Sequence, residues 1–420
     1  MLDIKYIRAN PEQVKAGLEL KGADMQISGF LQKDQRRREK LQQVEKTRAD
    51  KNNVSAKVSC LKRAGISADE QIAESRVIDA RLAGLQEDLK GIEQDLESAL
   101  LWLPNLPDET VPPGKGAEDN VEIRRWGQPR SPDGVRPHWE IGPALGVEFE
   151  RGSRMAGSGF IAYTGQAARL QRSLINFFLD FQSSRGYCEA WPPYLVNRSS
   201  MTGTAQLPKL EEDMYRVESD DLFLIPTAEV PITNLHREEI LAAEQLPIKY
   251  CGFSACFRRE AGAAGKDTRG LVRVHQFDKV ELVKLARPED SANEHELLLG
   301  DAEAALQALG LPYRVLLLCS GDMSFAAAKC YDLEVFAPGI DRWLEVSSCS
   351  NFKDFQARRA SIRYRPAAGA RPEYVHTLNG SGLALPRVVV GILEHYQNAD
   401  GSVAVPPALQ PYMRADVLRA

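Results

Sequence analysis

The chain has 420 residues, of which 43% are hydrophobic and 26% charged, and its formal net charge is −5 at pH 7. This composition is ordinary for a globular protein, and the length predicts two or three domains. No apolar run approaches the ~18 residues of a membrane span and the start lacks a secretory signal, so we expect a cytoplasmic protein without a membrane partner. The acidic net charge argues against indiscriminate nucleic-acid binding, although it permits a local basic surface.

Cysteines and histidines give no indication of a metal site. The seven cysteines form no CxxC pair, and their odd number favours free thiols in a reducing compartment. The six histidines show neither an HExxH motif nor another paired ligand spacing, so we expect no zinc.

The first hundred residues predict a helical arm. Residues 1–25 are typical of a short cap with a helix starting at Asn10-Pro11. Residues from about 28 to 100 contain no proline, and Ala64-Gly65-Ile66-Ser67 divides them into two long helices. The second helix has an apolar heptad pattern formed by Ile78, Leu82, Leu85, Leu89, Ile92, Leu96, Ala99 and Leu103. We therefore predict an antiparallel coiled-coil hairpin within an N-terminal domain spanning residues 1–103.

The two predicted helices of the arm carry opposite charges. Residues 33–63 hold eleven Lys or Arg and four acids, whereas residues 67–100 hold nine acids and three bases. Attraction between the helices explains part of this pattern. Arg36, Arg37 and Arg38 are consecutive, however, and cannot all face one partner helix. Some basic charge must therefore point outward, where an RNA backbone is a natural counterpart.

A proline-rich connecting segment, 104–137, precedes a second domain, 138–420. Tyr187 to Val196, around Pro192-Pro193, fits an edge strand or an interface. Strands outnumber helices and the connections are short, so we predict an α+β domain with an antiparallel sheet flanked by helices. The predicted helices are 166–184, 288–309 and 385–398, and the predicted strands are 222–225, 249–257, 271–285, 313–319, 332–336 and 342–347.

The stretch from Phe253 to Leu285 has the strongest chemical pattern, with two strand-like runs on either side of residues 261–270. Because side chains alternate along a strand, Arg258 and Glu260 share one face of the first run. A hairpin would add the residues of one parity in the second run, which are Arg273, His275, Phe277, Lys279 and Glu281. Such a surface suits an anionic, planar ligand such as a nucleotide. The alternative is a solvated sheet face with ordinary charge alternation.

Two shorter motifs could meet a phosphate group or its metal. Glu345 to Ser348 combine a carboxylate with hydroxyls, which Mg²⁺ accepts as ligands, or they form a solvated strand end. Pro386 suits a first helical turn, where Arg387 meets an anion or is simply an exposed cap residue.

Two further segments have open interpretations. Thr227 and Glu229 share strand parity, which lets both address one small polar ligand. The sequence GAAGKDT at 262–268 lacks the spacing of a P-loop and is either a lid over a ligand or a plain surface turn.

Over essentially its whole length the chain resembles the bacterial-type seryl-tRNA synthetases, which are class II aminoacyl-tRNA synthetases. The N-terminal hairpin and four ordered segments carry the resemblance: TAEVPITNLHREEIL from Thr227, FRREAGAAGKDTRGLVRVHQFDKVE from Phe257, EVSSCSNFKDFQARR from Glu345 and HTLNGSGLALPR from His376. The hallmark proline of the class's first motif falls on Pro193. The resemblance implies the class II antiparallel sheet with a coiled-coil arm, and it implies an ATP-dependent ligase. Serine and Mg·ATP give seryl-adenylate and pyrophosphate, and serine then passes to the 3′ end of tRNA(Ser) and also of tRNA(Sec).

The resemblance also implies roles for individual residues in binding Mg·ATP. It assigns Arg258 to the α-phosphate, Glu260 to the adenine amino group with Phe277 stacked on the ring, and Arg387 to the far phosphate. Glu345 and Ser348 would bind Mg²⁺. The further implied ATP contacts are Arg259, Val274, Val346 and Ser347, and the implied catalytic residues are Arg258, Glu345 and Arg387.

For serine, the resemblance implies that Thr227 and Glu229 face the amine, with Ala228 beside them, and that Glu281 and Ser381 face the hydroxyl. It implies a homodimer formed through the region around Pro193. The basic helical arm of one subunit would then contact the tRNA(Ser) that is charged on the other subunit.

Three places depart from the family pattern, one of them the loose matches at Gly146-Val147-Glu148 and Ser153-Arg154-Met155. Residues 157–160 read Gly-Ser-Gly-Phe, where an arginine usually precedes the phenylalanine, and residues 203–206 read Gly-Thr-Ala-Gln, where a second glycine is usual. The missing arginine either removes a structural ion pair or marks a specialised, inhibitor-tolerant second copy of the enzyme.

Two other classes of function compete with this interpretation. An amino-acid:carrier-protein ligase could use the same catalytic domain, but such relatives lack the helical arm. A non-catalytic RNA-binding protein with a degenerate synthetase domain would bind tRNA without ATP turnover, yet none of the positions assigned to ATP or serine is altered.

Overall fold

The computed structural model describes residues 1–261 and 269–419 and divides the chain into two compact units. One unit contains Leu2–Glu19 and Ala23–Pro104, and the other contains Asn105–Ala420 together with Met1 and Leu20–Gly22. The segment 262–268, predicted as a lid or a turn, lies outside the described residues. Among the described helices, none is both long enough and apolar enough to cross a membrane.

The N-terminal unit is helical, and its long helices pair as predicted. Its helices are α1 (Ile4–Ala9), α2 (Pro11–Leu20), α3 (Ile27–Arg63) and α4 (Asp69–Leu100). Leu82 and Leu96 of the predicted heptad are buried in α4, and the other heptad positions within this helix, Ile78, Leu85, Leu89, Ile92 and Ala99, are half-buried. Because α4 ends at Leu100, the predicted heptad position Leu103 falls outside the coiled coil.

Charge complementarity between α3 and α4 is visible as ion pairs. Lys40 Nζ lies 2.9 Å from Asp88 Oδ2, and Lys51 Nζ lies 2.6 Å from Asp79 Oδ1. Of the three consecutive arginines, Arg37 is half-buried and approaches Glu93 on α4, whereas Arg36 and Arg38 are exposed. Their cationic groups therefore remain on the surface of the arm.

The second unit is built on an eight-stranded sheet with helices against it, which confirms the α+β prediction. The helices are α5 (His138–Leu145), α6 (Phe149–Ala156), α7 (Gly165–Ser184), α8 (Arg198–Gly203), α9 (Glu229–Thr233), α10 (Ser291–Ala308), α11 (Phe355–Ala360), α12 (Leu385–His395) and α13 (Gln410–Met413). The strands are β1 (Val121–Trp126), β2 (Val147–Glu148), β3 (Ala162–Tyr163), β4 (Cys188–Glu189), β5 (Leu195–Asn197), β6 (Arg216–Val217), β7 (Leu222–Leu224), β8 (Ile240–Ala242), β9 (Ile248–Phe257), β10 (Gln276–Ala286), β11 (Tyr313–Leu317), β12 (Lys329–Ala337), β13 (Arg342–Lys353), β14 (Arg363–Arg365), β15 (Glu373–Tyr374), β16 (His376–Ala384), β17 (Val403–Ala404) and β18 (Val417–Leu418).

The order of strands in the main sheet is β1-β11-β12-β13-β16-β10-β9-β4. All neighbours are antiparallel except β4, which pairs with β9 in parallel at the sheet edge. Within the segment Tyr187 to Val196, predicted as an edge strand or an interface, only Cys188–Glu189 form an edge strand of this sheet, and Pro192 and Pro193 lie outside any strand. Helices α7, α10 and α12 bury apolar stripes in the large core on the sheet, and the stripe of α7 consists of Leu170, Leu174, Phe177 and Phe178.

The pairing of the central hairpin is confirmed, but its second strand is shorter than predicted, and its first strand ends at Phe257, so the prediction that Arg258 and Glu260 share a strand face is wrong. β9 and β10 pair from Phe257 opposite Gln276 to Ile248 opposite Leu285. Residues 271–275, predicted as strand, precede β10, because the backbone N–H of His275 donates to the carbonyl of Gly159 at 2.9 Å. Arg273 and His275 thus do not share the strand parity of Phe277, and the prediction that they do is wrong.

Gly159, in one of the atypical segments, packs against His275. Gly159 has a φ of 81°, and a Cβ atom there would lie 2.3 Å from Cδ2 of His275. The His275 ring in turn stacks on Phe160, with ring centroids 5.4 Å apart. In this chain the imidazole therefore occupies the space that a side chain at position 159 would need.

Ala205, in another atypical segment, has a φ of 66°. That left-handed conformation favours glycine and costs other residues about 1 kcal/mol. This residue of the atypical segment therefore carries backbone strain.

Candidate active site

A cavity of about 560 Å³ opens on the main sheet. It is adjoined by a smaller one of about 90 Å³ next to the start of α12. The residues predicted from sequence that line the larger cavity are Thr227, Glu229, Arg258, Glu260, Glu345, Ser348 and Ser381. Those that line the smaller cavity include Val274, Phe277 and Arg387. The structure thus brings together residues that are up to 160 positions apart in the sequence.

The acidic side of the larger cavity is a hydrogen-bonded network of buried and half-buried side chains. Thr227 Oγ1 donates to Glu281 Oε2 at 3.0 Å, and Asn379 Nδ2 donates to Glu281 Oε1 at 3.0 Å. Lys279 forms an ion pair with the same carboxylate. Glu281 is fully buried behind these partners, and β10 and β16 place it directly opposite Ser381. The network fixes hydroxyl, amide, ammonium and carboxylate groups around one small polar space.

Glu229 is fixed by hydrogen bonds that run to α11 and β16 behind the cavity. It begins the short helix α9 instead of continuing a strand with Thr227, so the predicted strand parity of this pair is wrong even though both line the cavity. Gln356 Nε2 donates to Glu229 Oε1 at 2.7 Å, and Gln356 Oε1 accepts from Thr377 Oγ1 at 2.7 Å. Burial, and then the nearby Glu281 carboxylate, raise the pKa of Glu229 to about 7.

The opposite side of the cavity is cationic. The Arg258 guanidinium lies over the ring of Phe277, 5.1 Å from its centroid, and Arg258 Nε donates to the carbonyl of Pro226 at 3.4 Å. Arg387 Nε donates to the carbonyl of Val272 at 3.1 Å, and Arg387 Nη1 donates to the carbonyl of Glu345 at 2.7 Å. Backbone carbonyl oxygens therefore orient both guanidinium groups, and Arg387 Nη1 also lies 3.4 Å from the Glu345 carboxylate.

Glu345 and Ser348 face the same cavity because of a β-bulge. Leu333 pairs with Ser347 and Glu334 with Glu345, so Val346 is the extra residue on β13. The tetrapeptide lies inside this strand, and the prediction that it ends the strand is wrong. Burial and the neighbouring Glu345 carboxylate raise the pKa of Asp332, beside Ser348, well above its usual range.

Some predicted site residues lie away from the open space. Ala228 and Val346 are fully buried, Ser347 donates to the carbonyl of Ser381 at 2.7 Å, and Arg259 is exposed without lining either cavity. Glu260 does line both, and it forms an ion pair with Arg273.

Nothing in the sequence indicated a role for Asn379 or Gln356, and the strand pattern placed Arg273 and Lys279 on the candidate nucleotide surface without assigning either a specific contact. Lys279 shares the parity of Phe277 and Glu281 on β10, which was a signal for its position. Asn379 and Gln356 meet their carboxylates only through pairing of distant elements, and nothing local marks them.

The comparisons with known proteins point to one enzyme family along the whole length of the chain. The model of the tRNA synthetase class II core domain (G, H, P, S and T) matches residues 213–396, and the model of the seryl-tRNA synthetase N-terminal domain matches residues 1–107. The chain is 54% identical to a serine–tRNA ligase of Caldanaerobacter subterraneus subsp. tengcongensis, over 100% of this chain and 99% of that protein. It is 52% identical to a serine–tRNA ligase of Thermodesulfovibrio yellowstonii, over 100% of both chains.

Two solved structures have the same fold at full length. The seryl-tRNA synthetase from Pyrococcus horikoshii, complexed with ATP, superposes with a TM-score of 0.92 at 38% identity, covering 100% of this chain and 99% of that one. The cytoplasmic serine–tRNA ligase from Naegleria fowleri, in complex with AMP, gives a TM-score of 0.87 at 32% identity, with the same coverage.

Proposed function

Because the chain belongs to the seryl-tRNA synthetase family, we propose that its cavity joins serine to ATP as seryl-adenylate and that the enzyme then esterifies tRNA(Ser). One observation carries the assignment of the site: a buried acidic pocket and a cationic wall line two adjoining cavities that share Arg258, Glu345 and Ser381. The pocket suits a small amino acid with an ammonium and a hydroxyl group, and the wall suits a triphosphate. Since aminoacyl-tRNA is consumed in protein synthesis, we expect the enzyme in the cytoplasm.

The acidic pocket is proposed to bind serine. Glu229 would pair with the ammonium group, with Thr227 and the backbone of Ala228 beside it. The hydroxyl would meet Glu281 and Ser381, with Asn379 and Lys279 holding the Glu281 carboxylate in place. Alanine would leave these buried polar groups unpaired, and sites of this kind reject such an analogue by about 10⁴-fold.

The cationic wall is proposed to bind ATP. Arg258 would meet the α-phosphate, where charge develops as the serine carboxylate attacks, and Arg387 would meet the far phosphate. The adenine would stack on Phe277 beside Val274, with its amino group at Glu260. Arg259, the residue after Arg258, would also contact ATP. The backbone of Val346 and Ser347, at the β-bulge of β13, would provide the remaining contacts with ATP. Orientation and charge compensation supply the catalysis, so no covalent nucleophile is needed.

The oxygen ligands near Glu345 fit Mg²⁺. Among the described residues, no group of three or more His, Cys, Asp and Glu side chains is arranged to hold a metal. Mg²⁺ needs only one or two protein oxygens when phosphates and water complete its shell, and the Glu345 carboxylate with the Ser348 hydroxyl supplies them. When bound with ATP, Mg²⁺ neutralises phosphate charge.

The helical arm is proposed to bind tRNA(Ser). Arg36 and Arg38 are exposed on α3. Contacts of such residues with phosphates give affinity for RNA without recognising the base sequence. The proposed partner is a second copy of the chain, joined near Pro193, where Trp191 is 73% exposed beside the edge strand β4.

Pyrophosphate exchange into ATP, measured with each amino acid, tests the activity. We expect serine to support exchange and alanine to fail, and the absence of exchange with serine would refute the proposal. Charging of tRNA(Ser) and tRNA(Sec) by the same preparation then tests the RNA substrates.

Charge reversal on the arm tests the tRNA surface. Arg36→Glu with Arg38→Glu should abolish tRNA charging and leave serine-dependent exchange intact, whereas the matched pair Arg76→Glu with Arg81→Glu, exposed on α4, should have a weaker effect on charging. For the dimer, sedimentation should show monomers for Trp191→Asp but not for Met155→Asp, a residue that is also 73% exposed.

A further inference from the structure

A buried histidine–glutamate pair lies outside the proposed contacts with serine and ATP. His138 begins α5, Glu394 lies near the end of α12, and both side chains are completely buried. The His138 Nδ1 atom lies 2.8 Å from Glu394 Oε1. His138 also falls between the two segments that match family models, 1–107 and 213–396.

The hydrogen-bond partners of this pair fix the tautomer of the histidine. The backbone N–H of Leu271 donates to His138 Nε2 at 3.1 Å, so Nε2 must accept and Nδ1 must carry the hydrogen. That hydrogen is donated to Glu394, which also accepts the N–H of His138 at 3.0 Å and the N–H of Gly339 at 2.8 Å. An acceptor-only carboxylate is therefore the group this position requires.

The contact with Leu271 reaches the proposed ATP wall through one peptide unit. The next residue, Val272, gives its carbonyl to Arg387 Nε, and Arg387 and Glu394 lie two turns apart on α12. The backbone at 271–272 is thus connected to α12 by two routes. Val272 bonds Arg387 directly, and Leu271 is linked to Glu394 through His138.

The fit of this backbone against His138 is tight. Gly270 has a φ of 77°, and a Cβ atom there would lie 2.1 Å from His138 Nε2. Only glycine allows the chain to pass this close to the imidazole.

We propose that His138 is a positioning residue for ATP: its bond to Leu271 sets Val272 so that the Arg387 guanidinium is aimed at the phosphates. The inference rests on the proposed role of Arg387. His138 touches neither substrate. Glu394 acts through His138, because it accepts the Nδ1 hydrogen and so keeps Nε2 of the imidazole as the acceptor for Leu271. The acidic pocket for serine lies on other elements and is independent of this linkage.

Two substitutions of His138 separate its two bonds. The amide of His138→Gln can place an oxygen near the position of Nε2 and keep the Leu271 bond, whereas the amide of His138→Asn reaches only the position of Nδ1 and keeps the Glu394 bond. We expect His138→Asn to raise the KM for ATP in pyrophosphate exchange about tenfold, as loss of one buried hydrogen bond implies. His138→Gln should stay close to wild type, and the KM for serine should be unchanged in both.

Equal effects of the two variants on ATP, or a parallel rise in the KM for serine, would overturn the proposal and leave His138 a purely structural residue. Gly270→Ala disturbs the contact between His138 and Leu271 by placing a methyl group against the imidazole. It should reproduce the ATP-specific effect even where the His138 variants fold poorly. His395→Asn is the matched control, because its Nε2 bonds the Phe336 carbonyl at 2.8 Å from the same helix. It should lower thermal stability without changing ATP binding.

Calorimetric titration of ATP without serine separates this inference from the proposed function. It reports the ATP wall even if wild-type protein showed no serine-dependent exchange. Unchanged ATP affinity in His138→Asn and Gly270→Ala would exclude the positioning role.

Discussion

The two sides of the cavity are organised in different ways. On the serine side, side chains hold side chains: Thr227, Asn379 and Lys279 all contact Glu281, and Gln356 holds Glu229. On the ATP side, backbone carbonyls orient the guanidinium groups of Arg258 and Arg387, and one carboxylate, that of Glu345, lies 3.4 Å from Arg387 Nη1.

The difference follows from what each side must recognise. A small neutral hydroxyl is recognised by buried polar partners that are fixed before binding and are left unpaired when the hydroxyl is missing. A triphosphate carries large charge, so the wall needs oriented cations whose charge is not cancelled. Each carboxylate on the serine side is therefore engaged by its neighbours, while the guanidinium groups opposite are oriented mainly by backbone carbonyls.

Removing a cation should have the largest effect. Arg387→Ala should lower the rate of pyrophosphate exchange about 10³-fold, because a preorganised charge at the phosphates is lost. Arg387→Lys keeps the charge but cannot donate to Val272 and Glu345 at once, so it should recover only part of the rate. Stopped-flow or steady-state exchange measures both variants. A full recovery with lysine would show that the carbonyl contacts are unimportant and would break the contrast between the two sides.

Titration of Glu229 should have the next largest effect. Its pKa of about 7 lies above the ordinary value of 4.5, so its carboxylate is lost as pH falls through 7. Since the ammonium group of serine needs the carboxylate, the KM for serine should rise about tenfold per pH unit below 7, with the KM for ATP much less affected. Glu229→Gln should raise the KM for serine about 100-fold and remove this pH dependence.

Stability gives a second measurement of the same group. Between pH 4.5 and 7 the folded protein holds a proton on Glu229 that the unfolded chain has released, so the free energy of unfolding falls as pH rises through this window. Because the ammonium group of serine needs the ionised Glu229 carboxylate, serine should raise the melting temperature more above pH 7 than below it. A pH-independent shift would contradict the assignment of the ammonium group to Glu229.

The sequence was most informative where one short segment carries both chemistry and position. The hairpin of β9 and β10 placed Phe277 and Glu281 on one face because strand alternation is local. The fold class followed from the same kind of pattern. Thr227 and Glu229 were also found, although a turn into α9, not a strand, brings them to the cavity.

Features that depend on partners distant in the chain could not be predicted. The bulge at Val346 is defined only by the register with β12, and it explains why Glu345 and Ser348 face the same space. Likewise, Asn379 reaches Glu281 because β16 lies beside β10, and His138 reaches Glu394 across more than half of the chain. Pairing of this kind is a property of packing and has no local sequence signal.

A substitution behind the serine side should have the smallest effect and test whether its side chains really fix one another. Gln356→Met keeps the length of the side chain but removes the bonds to Glu229 and Thr377, so we expect the KM for serine to rise about tenfold while the KM for ATP stays constant. Gln171→Met, at a glutamine buried in α7 that does not line the cavity, controls for the loss of a buried amide. If both variants changed the KM for serine equally, the fixed network would not be the source of recognition, and the two sides would differ in charge alone.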